Sequence, residues 1–340
     1  MQKYRGNFNN SKNNLEKQEV YNMKILVYGA GIQGSYLAHV LVRGGNDVTI
    51  LARGKRFDEL KKDGIIIRHY LQLKTTVDRV NVINTLTPED VYDLIFVVMQ
   101  YQQFQSVLPI LADNQSIHII LVGNNANPHM MQNYLKNNST VEKQVAFGFQ
   151  SSGGWREDSR IVCLRVNGGR MDIGGIDSGI SWQPLIEKAF KNTKYKLVFY
   201  DDIDPYLKTH IVLVMVLLYA TNACDGDISK VTGDKTLRNQ MIWAMDEGLT
   251  VLETLGYTIT PPTISNIIRR RRRLVSLLLR VAPKIFRLWP NLNKVVDPME
   301  KPDESIALSN VLDDLKQKAN IPTPNWDALK SRIQFKNVVD

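Results

Sequence analysis

The pattern of apolar and polar positions divides the chain into two parts. In the first part, short apolar runs alternate with amphipathic stretches, and the runs predict strands at 24–28, 47–51, 64–69, 93–99, 117–122 and 144–149, with a further strand within 73–83. Alternation of strands and helices predicts a parallel sheet covered by helices on both faces. This part of the chain is therefore predicted to be an α/β domain with a doubly wound sheet.

The second part begins after a glycine-rich region at 151–180. Within that region, 161–166 is predicted to be a hairpin strand that closes the sheet of the first domain. After Pro205 the apolar spacing becomes helical, and it predicts helices at 205–222, 235–255, 263–282 and 303–319. Two prolines, Pro322 and Pro324, are expected to stop the last long helix. The second domain is therefore predicted to be all helical.

The first predicted strand runs directly into a glycine motif, which is the strongest functional signal in the sequence. Gly29, Gly31 and Gly34 form G-x-G-x-x-G between a strand and a helix, the context typical of dinucleotide binding. The three glycines allow a tight turn, close approach of a pyrophosphate, and packing of the helix on the strand. The residues between them, Ala30, Ile32 and Gln33, are predicted to line the same cofactor site.

The end of the second strand indicates which dinucleotide binds. An NAD site usually has an acidic residue there, but no Asp or Glu lies between Val48 and Phe57. Arg53 follows the strand instead, and a guanidinium can pair with the 2′-phosphate of NADP. The alternative is that Arg53, Lys55 and Arg56 lie on a solvated loop. The sequence favours NADP as the cofactor.

Length, charge and cysteine content limit the number of domains, the kind of partner and the cellular environment. The 340 residues suffice for two domains, and the net charge of +9 favours anionic partners. Two cysteines far apart in sequence fit a reducing, cytoplasmic environment. The chain shows no metal-ligand spacing and no G-x-S-x-G motif, so metal sites and hydrolase chemistry are not predicted.

Residues 1–22 are predicted to be a disordered leader or an over-long start, 23–200 a Rossmann-type domain, and 201–335 a helical substrate and dimerisation domain.

This domain plan resembles the ketopantoate reductase (2-dehydropantoate 2-reductase) family over most of residues 23–330. The landmarks match in order: the three glycines, Arg53, a strand end at Gln100, a second strand end at Asn124, Lys208 at the start of a long helix, and Glu304 before the Pro322–Pro324 segment. The resemblance implies that Lys208 is the catalytic lysine. It also implies that Arg53, Gln100, Asn124 and Glu304 contact the cofactor or substrate, and that the pathway is pantothenate biosynthesis.

Several positions depart from the pattern of this family. Gln100 replaces a lysine, Asn125 replaces a glycine, and Val212 and Val216 replace asparagines that hold the substrate in the family. Valine cannot donate a hydrogen bond, so the resemblance predicts the fold and cofactor better than the substrate. The predicted function is NADPH-dependent reduction of a 2-keto acid or related carbonyl compound. The alternatives are an NADP-binding sensor or scaffold without turnover, and a peripheral membrane oxidoreductase.

The predicted site also needs a proton donor for the reduced carbonyl oxygen. A lysine ammonium can stabilise a developing alkoxide and then protonate it, so Lys208 is the candidate acid. Position alone would instead suggest a surface lysine in the first turn of a helix. His210 lies two residues later, on a different helix face. It is interpreted first as a core or surface histidine, and alternatively as an acid or base. The alternative for Asn124 is a residue that caps a turn and contacts no ligand.

A run of five arginines interrupts the predicted helical domain. Arg269, Arg270, Arg271, Arg272 and Arg273 precede apolar residues at helical spacing. The first interpretation is a helix that faces the core with one solvated basic side. The alternatives are an anionic pocket or oligomer contact, attachment to an anionic membrane surface, and nucleic-acid binding, which no recognised motif accompanies. A homodimer is compatible with the long apolar helix of this domain.

Overall fold

A computed structural model describes residues 22–288 and 302–333 of the chain. Residues 1–21, and thus nearly all of the predicted leader, lie outside the described ranges. The side chains of 282–288 and of residue 302 are also outside the description. The first strand begins at Lys24, directly after the buried side chain of Met23.

The described residues form strands in the N-terminal part only. They are β1 Lys24–Tyr28, β2 Asp47–Leu51, β3 Ile65–His69, β4 Lys74–Asp78, β5 Asn81–Ile83, β6 Leu94–Val98, β7 His118–Val122, β8 Gln144–Gln150, β9 Gly153–Glu157, β10 Arg160–Leu164, β11 Arg170–Gly174 and β12 Lys196–Tyr200. The strands predicted from the apolar runs are confirmed to within one or two residues at each end.

The described helices occur in both parts of the chain. They are α1 Ile32–Arg43, α2 Gly54–Asp63, α3 Phe104–Asp113, α4 Pro128–Asn138, α5 Gln183–Phe190, α6 Asp204–Asn222, α7 Ile228–Gly233, α8 Lys235–Thr254, α9 Pro262–Arg270, α10 Arg272–Leu288, α11 Pro302–Ala319 and α12 Pro324–Lys330. A 3-10 turn at Tyr101–Gln103 precedes α3. None of the described helices is long and apolar enough to cross a bilayer.

The main sheet has eight strands in the order β12-β11-β8-β7-β6-β1-β2-β5. All neighbours are parallel except β8 and β11, which pair antiparallel. Two apolar cores lie on opposite faces, one under α1 and α5 and the other under α3 and α4. The strand order reverses beside β1, since β2 lies on one side of it and β6 on the other. In open α/β sheets this switch point is where ligands bind.

A second sheet packs on the α1 side of the main sheet. Its strand pairing shows that two of the predictions were wrong. Strands β4, β3, β10 and β9 form this sheet, and β9 and β10 pack against α1. The strand predicted at 161–166 is β10, which pairs in parallel with β3 and does not close the main sheet. β11 and β12 extend the main sheet to its edge instead. Apolar alternation identifies a strand, but it does not determine which strand is its neighbour.

The single strand predicted within 73–83 is two strands in different sheets. β4 pairs with β3, whereas β5 pairs with β2 at the edge of the main sheet. At the end of β4 the buried Asp78 accepts from Arg43 at 2.6 Å and lies 2.6 Å from the His39 ring nitrogen. These contacts fix Asp78 to α1 at the point where the chain passes from the second sheet to the main sheet.

From Asp204 onward every described element is a helix. The helix predicted at 263–282 is two helices, because Arg271 departs from helical geometry with φ −118° and ψ 28°. The break lets Arg269 of α9 and Arg272 of α10 both pair with Asp246 of α8. The core of this domain lies between α6, α8, α11 and α12, around the fully buried Trp326.

Candidate functional site

A cleft of about 600 Å³ opens at the carboxyl ends of β1, β6 and β7. All ten residues that the sequence suggested for cofactor binding line this cleft: Gly29, Ala30, Gly31, Ile32, Gln33, Gly34, Arg53, Gln100, Asn124 and Glu304. They come from five separate segments of the chain, one of which is α11 in the helical domain. The cleft therefore lies between the two domains, at the switch point of the sheet.

The glycine loop shows why each of its glycines is needed. Gly29 has φ +121°, and a Cβ there would lie 2.2 Å from the carbonyl oxygen of Val98. A Cβ on Gly34 would lie 1.9 Å from the carbonyl oxygen of Gly29, so the helix could not pack so closely on the loop. A Cβ on Gly31 would meet nothing within 4 Å. Gly31 therefore leaves open space on the cleft side, which is the place for a ligand to approach the backbone.

The amino end of α1 can receive an anion. Gly31 is the N-cap residue and supplies no side chain to the free N–H groups, and the first turn contains no acidic residue. The Gln33 side chain donates to the Ser152 carbonyl at 3.1 Å, so it is held against β8 and β9 and away from those N–H groups. Unsatisfied N–H groups together with the helix dipole favour a phosphate at this position.

Two arginines on the first turn of α2 face the loop. Arg53 is exposed and donates to the Tyr28 hydroxyl at 2.8 Å. Arg56 is buried and reaches the Ala30 carbonyl at 3.3 Å and the Ser159 carbonyl at 2.8 Å. Burial lowers the pKa of the Arg56 guanidinium from its usual value. The sequence analysis left Arg56 as an alternative solvated residue, although its spacing of three from Arg53 places both on one helix face.

Arg156 also lies at the cleft and was missed in the sequence analysis. It comes from β9 of the second sheet and forms an ion pair with Glu59 of α2. No sequence signal linked it to the glycine loop, because the contact depends on how the second sheet packs on α1.

The opposite wall of the cleft joins the two domains through a carboxylate. Glu304 Oε1 accepts from the Tyr101 backbone N–H at 3.1 Å and from the Asn124 side-chain amide at 3.2 Å. The Asn124 Oδ1 atom is buried and has no hydrogen-bond partner among the described residues. Gln100 accepts from Gln102 at 2.8 Å. The orphaned oxygen of Asn124 is a ready acceptor for a ligand hydroxyl or amide.

Lys208 is not among the residues that line the cleft. It is buried, forms an ion pair with Asp204 one turn earlier, and places its ammonium 4.7 Å from the centre of the Tyr257 ring. Burial lowers the pKa of Lys208, and burial also raises the pKa of Asp204. His129 approaches the other oxygen of Asp204 at 3.6 Å. The structure thus brings Lys208 to a buried ion pair and does not bring it to the cofactor glycines.

His210 lies on the other face of α6 and packs next to the cleft. Its ring centre is 3.9 Å from that of Phe149, and Phe149 itself lines the cleft. Tyr206 stacks on His210 with 6.5 Å between ring centres. Burial lowers the pKa of His210 to about 4, so the imidazole is neutral near pH 7. Neither Lys208 nor His210 is among the residues that line the cleft, but His210 contacts Phe149, which does line it.

Val212 and Val216 lie on the Lys208 face of α6. Both are buried in the core of the helical domain. The family resemblance implied that these two positions are substrate contacts at which valine replaces asparagine. Their position in the core explains why they are apolar, because an unpaired polar side chain there would be costly.

Comparisons with known proteins agree with this site. Residues 25–177 match the family described as ketopantoate reductase PanE/ApbA. An uncharacterized oxidoreductase YkpB of Bacillus subtilis (strain 168) is 53% identical over 45 residues, which are 13% of this chain and 15% of that protein. The chain therefore spans well under two thirds of the length of this curated relative.

Solved structures extend the likeness to the helical domain. The 2-dehydropantoate 2-reductase of Geobacter metallireducens GS-15 is 14% identical, with a TM-score of 0.70, over 92% of this chain and 99% of that chain. A D-mandelate dehydrogenase in a ternary structure with NADH and anilino(oxo)acetate is 14% identical, with a TM-score of 0.67, over 91% of this chain and 97% of that chain. At such identities the likeness shows the fold. The match over residues 25–177, a little under half of the chain, shows that this part of the protein is similar to the ketopantoate reductase PanE/ApbA family.

Proposed function

We propose that this protein is an NADPH-dependent oxidoreductase that reduces the carbonyl group of a 2-oxo acid or a related compound. The observation that carries the proposal is the cleft at the switch point, where the glycine loop, Arg53 and the strand ends at Gln100 and Asn124 converge. The family match over residues 25–177 supports the same reaction class.

The residues of the cleft fit a dinucleotide phosphate. The open space at Gly31 and the uncapped amino end of α1 suit the pyrophosphate. Arg53 is positioned for a 2′-phosphate at the adenosine end, since it follows β2 and no acidic residue takes its place. Arg56 donates to the Ala30 carbonyl at 3.3 Å and so links α2 to the glycine loop. Asn124 and Glu304 would hold the nicotinamide end, where the two domains meet.

When bound, the reduced nicotinamide supplies the hydride for the carbonyl carbon. The protein must then place the carbonyl and stabilise the negative charge that develops on its oxygen. We assign that task to His210, because its ring contacts Phe149 at the cleft. A neutral imidazole can donate one N–H hydrogen bond to the carbonyl oxygen without carrying charge. The proton that completes the alcohol then comes from solvent.

Lys208 remains the candidate from the family resemblance. Its ion pair with Asp204 occupies the ammonium, and Tyr257 covers it. For Lys208 to act as an acid, α6 would have to turn its buried face toward the cleft. The geometry therefore favours His210 for the substrate contact.

Phe149 contributes an aromatic ring to the cleft, and Tyr206 and His210 pack against that ring. The substrate we propose therefore carries an apolar or aromatic group beside its oxo group. The D-mandelate dehydrogenase neighbour holds anilino(oxo)acetate, which combines these two features.

Calorimetric titration with NADPH and NADH tests the cofactor assignment. We expect NADPH to bind at least about tenfold more tightly, because a charge-assisted hydrogen bond contributes roughly 1.5–3 kcal/mol. Arg53→Gln should abolish that preference, whereas Lys55→Gln should keep it, since Lys55 is exposed and does not line the cleft. Equal affinity of the unaltered protein for both cofactors would remove Arg53 from the site, and absence of binding to either would end the proposal.

A sensor or scaffold that binds NADP without turnover is the competing function. The burial of Lys208 is the observation that favours it. A panel of 2-oxo acids with aliphatic and aromatic side chains, followed by NADPH absorbance, separates the two functions. Tight NADPH binding with no oxidation over the whole panel would establish the sensor.

A further inference from the structure

The α9–α10 segment carries apolar side chains on two separate faces. Val275 and Leu279 pack against the core of the helical domain. Leu274, Leu277, Leu278 and Val281 follow the spacing i, i+3, i+4 and i+7, and all four are exposed, Leu277 by 55% and Leu278 by 61%. At 100° per residue this second stripe lies about 130° around the helix from the packed one. We call these four residues the outer ridge.

The outer ridge corrects the first interpretation of the arginine run. That interpretation expected a helix with apolar residues toward the core and a basic side toward solvent. Of the six apolar α10 residues named above, only two are packed and four are exposed. Packing against the described residues (22–288 and 302–333) therefore does not explain the outer ridge. Exposed clusters of this kind mark interaction sites.

The five arginines divide into two groups. Arg269 and Arg272 are bound within the fold, because both pair with Asp246 and Arg269 also pairs with Glu253 at 2.7 Å. The other three are exposed and form no ion pair with any described residue: Arg270, Arg271 and Arg273. On the helical wheel, Arg273 and Arg280 flank one side of the outer ridge.

Charge decides which partner fits this surface. A second copy of the chain on a two-fold axis would bring the outer ridge against itself and the same arginines against one another. A nucleic acid would use the arginines but leave the leucines without a role. An anionic bilayer satisfies both, since its headgroups pair with cations and its acyl region accepts apolar side chains.

We propose that the outer ridge and its exposed arginines dock the protein on an anionic lipid membrane. The α9–α10 segment would lie in the plane of the interface, with the outer ridge inserted and Arg270, Arg271, Arg273 and Arg280 at headgroup level. Trp243 strengthens this assignment, because it is 46% exposed at the border of the segment, where Arg272 stacks on its ring at 3.6 Å. Tryptophan is favoured at this depth of a bilayer.

Flotation of the full chain with vesicles tests the proposal. We expect binding to phosphatidylcholine vesicles that contain phosphatidylserine, little binding to phosphatidylcholine alone, and weakening as salt rises. Arg270→Gln/Arg271→Gln/Arg273→Gln should weaken binding on the order of a hundredfold, at the usual contribution of one basic residue near an anionic surface. Leu277→Ser/Leu278→Ser should also release the protein, and both side chains are exposed, so the fold should survive with an unchanged melting temperature.

A matched control uses the other domain. Lys191→Gln/Lys194→Gln/Lys196→Gln removes the same three charges from exposed positions away from α10 and should leave binding near the original level. Equal losses in the lysine and arginine variants would reduce the effect to net charge and overturn the proposal. So would retained binding by the leucine variant.

Two further measurements assign the surface to another partner if the proposal fails. A dimer in sedimentation that Leu277→Ser/Leu278→Ser converts to a monomer, together with no vesicle binding by the unaltered chain, would assign the outer ridge to a second copy. Binding to duplex DNA that needs the arginines but tolerates the leucine changes, again without vesicle binding, would assign it to nucleic acid.

Discussion

The glycine loop at 29–34 and the start of α6 present two ways in which a sequence encodes a site. In the loop, the proposed site is formed by backbone atoms, and the backbone geometry requires glycine at particular positions. Gly29 takes a positive φ, and Gly34 allows contact with the Gly29 carbonyl. On α6, function depends on which way a side chain points. Lys208 and His210 are two residues apart, so they lie about 200° apart around the helix, and only one of them can face the cleft.

The two regions differ in how their residues are used. The loop leaves its N–H groups and the space at Gly31 free. At the start of α6 the ammonium of Lys208 is already bound to Asp204, and Tyr257 covers it. A site formed by backbone atoms can therefore be located from residue types. A site formed by side chains also requires knowledge of their neighbours.

The ion pair of Lys208 gives the largest expected effect. Lys208→Met would leave Asp204 buried without its counter-charge, and we expect a loss of about 3–5 kcal/mol in the free energy of unfolding, measured by urea denaturation. Asp204→Asn/Lys208→Met should recover most of that loss, because it removes both charges. Turnover of the double variant then decides the role of Lys208. A fall of about a hundredfold or more would restore it as the proton donor and reverse our comparison.

Acid should destabilise the protein through His210. Its pKa is about 4 in the fold and near 6.5 when the chain unfolds, so the unfolded state binds more protons at acidic pH. The stabilisation is complete above pH 6.5, and lowering the pH to about 4 removes it, which amounts to roughly 3 kcal/mol for such a shift. The free energy of unfolding falls as the pH is lowered from 6.5 to 4, and we call this part of the pH profile the acid limb. Urea denaturation of His210→Phe should show a smaller fall over this range.

His69 sharpens that measurement, because it lies far from the cleft on β3. It is fully buried, and burial lowers its pKa to about 4 as well. His69→Gln/His210→Phe should therefore flatten the acid limb further than either single change. An acid limb that neither substitution alters would show that both rings accept protons in the fold as easily as outside it.

The same His210→Phe variant tests the substrate contact. Phe keeps the stacking with Phe149 and Tyr206 but cannot donate a hydrogen bond to a carbonyl oxygen. Loss of a hydrogen-bond donor at a developing oxyanion typically costs about a hundredfold in kcat. We expect a loss of that order in NADPH oxidation, with NADPH affinity unchanged. An undiminished kcat would exclude His210 from the reaction.

Gly31→Ala gives the smallest effect and tests the loop. The added methyl group meets no protein atom within 4 Å, so the melting temperature should stay the same. The methyl group would occupy space that we assign to the pyrophosphate, and NADPH affinity should fall by roughly an order of magnitude, about 1.4 kcal/mol. Gly233→Ala is the matched control, since its Cβ also meets nothing and it lies at the end of α7. Equal NADPH affinity in both variants would place the phosphates elsewhere.

Much of the fold could be predicted from local pattern. The strands at 24–28 and 47–51 agree with β1 and β2 to the residue, and the helices at 205–222 and 303–319 agree with α6 and α11 to within one residue. The errors concern neighbours. The strand at 161–166 joins the second sheet, and the segment 73–83 is divided between two sheets. Pairing partners are set by contacts distant in sequence, which periodicity does not record.

The sequence by itself determined where the backbone turns, which helix follows, and that no acidic residue stands at the end of β2, because glycine geometry and residue charge are local properties. Only the tertiary structure decided that Lys208 is buried beside Asp204, that His210 reaches Phe149, that Arg56 links α2 to the glycine loop, and that the α9–α10 helices leave an apolar ridge in solvent. Each of these depends on how a helix is rotated about its axis against its neighbours. That rotation is fixed by the packing of whole domains.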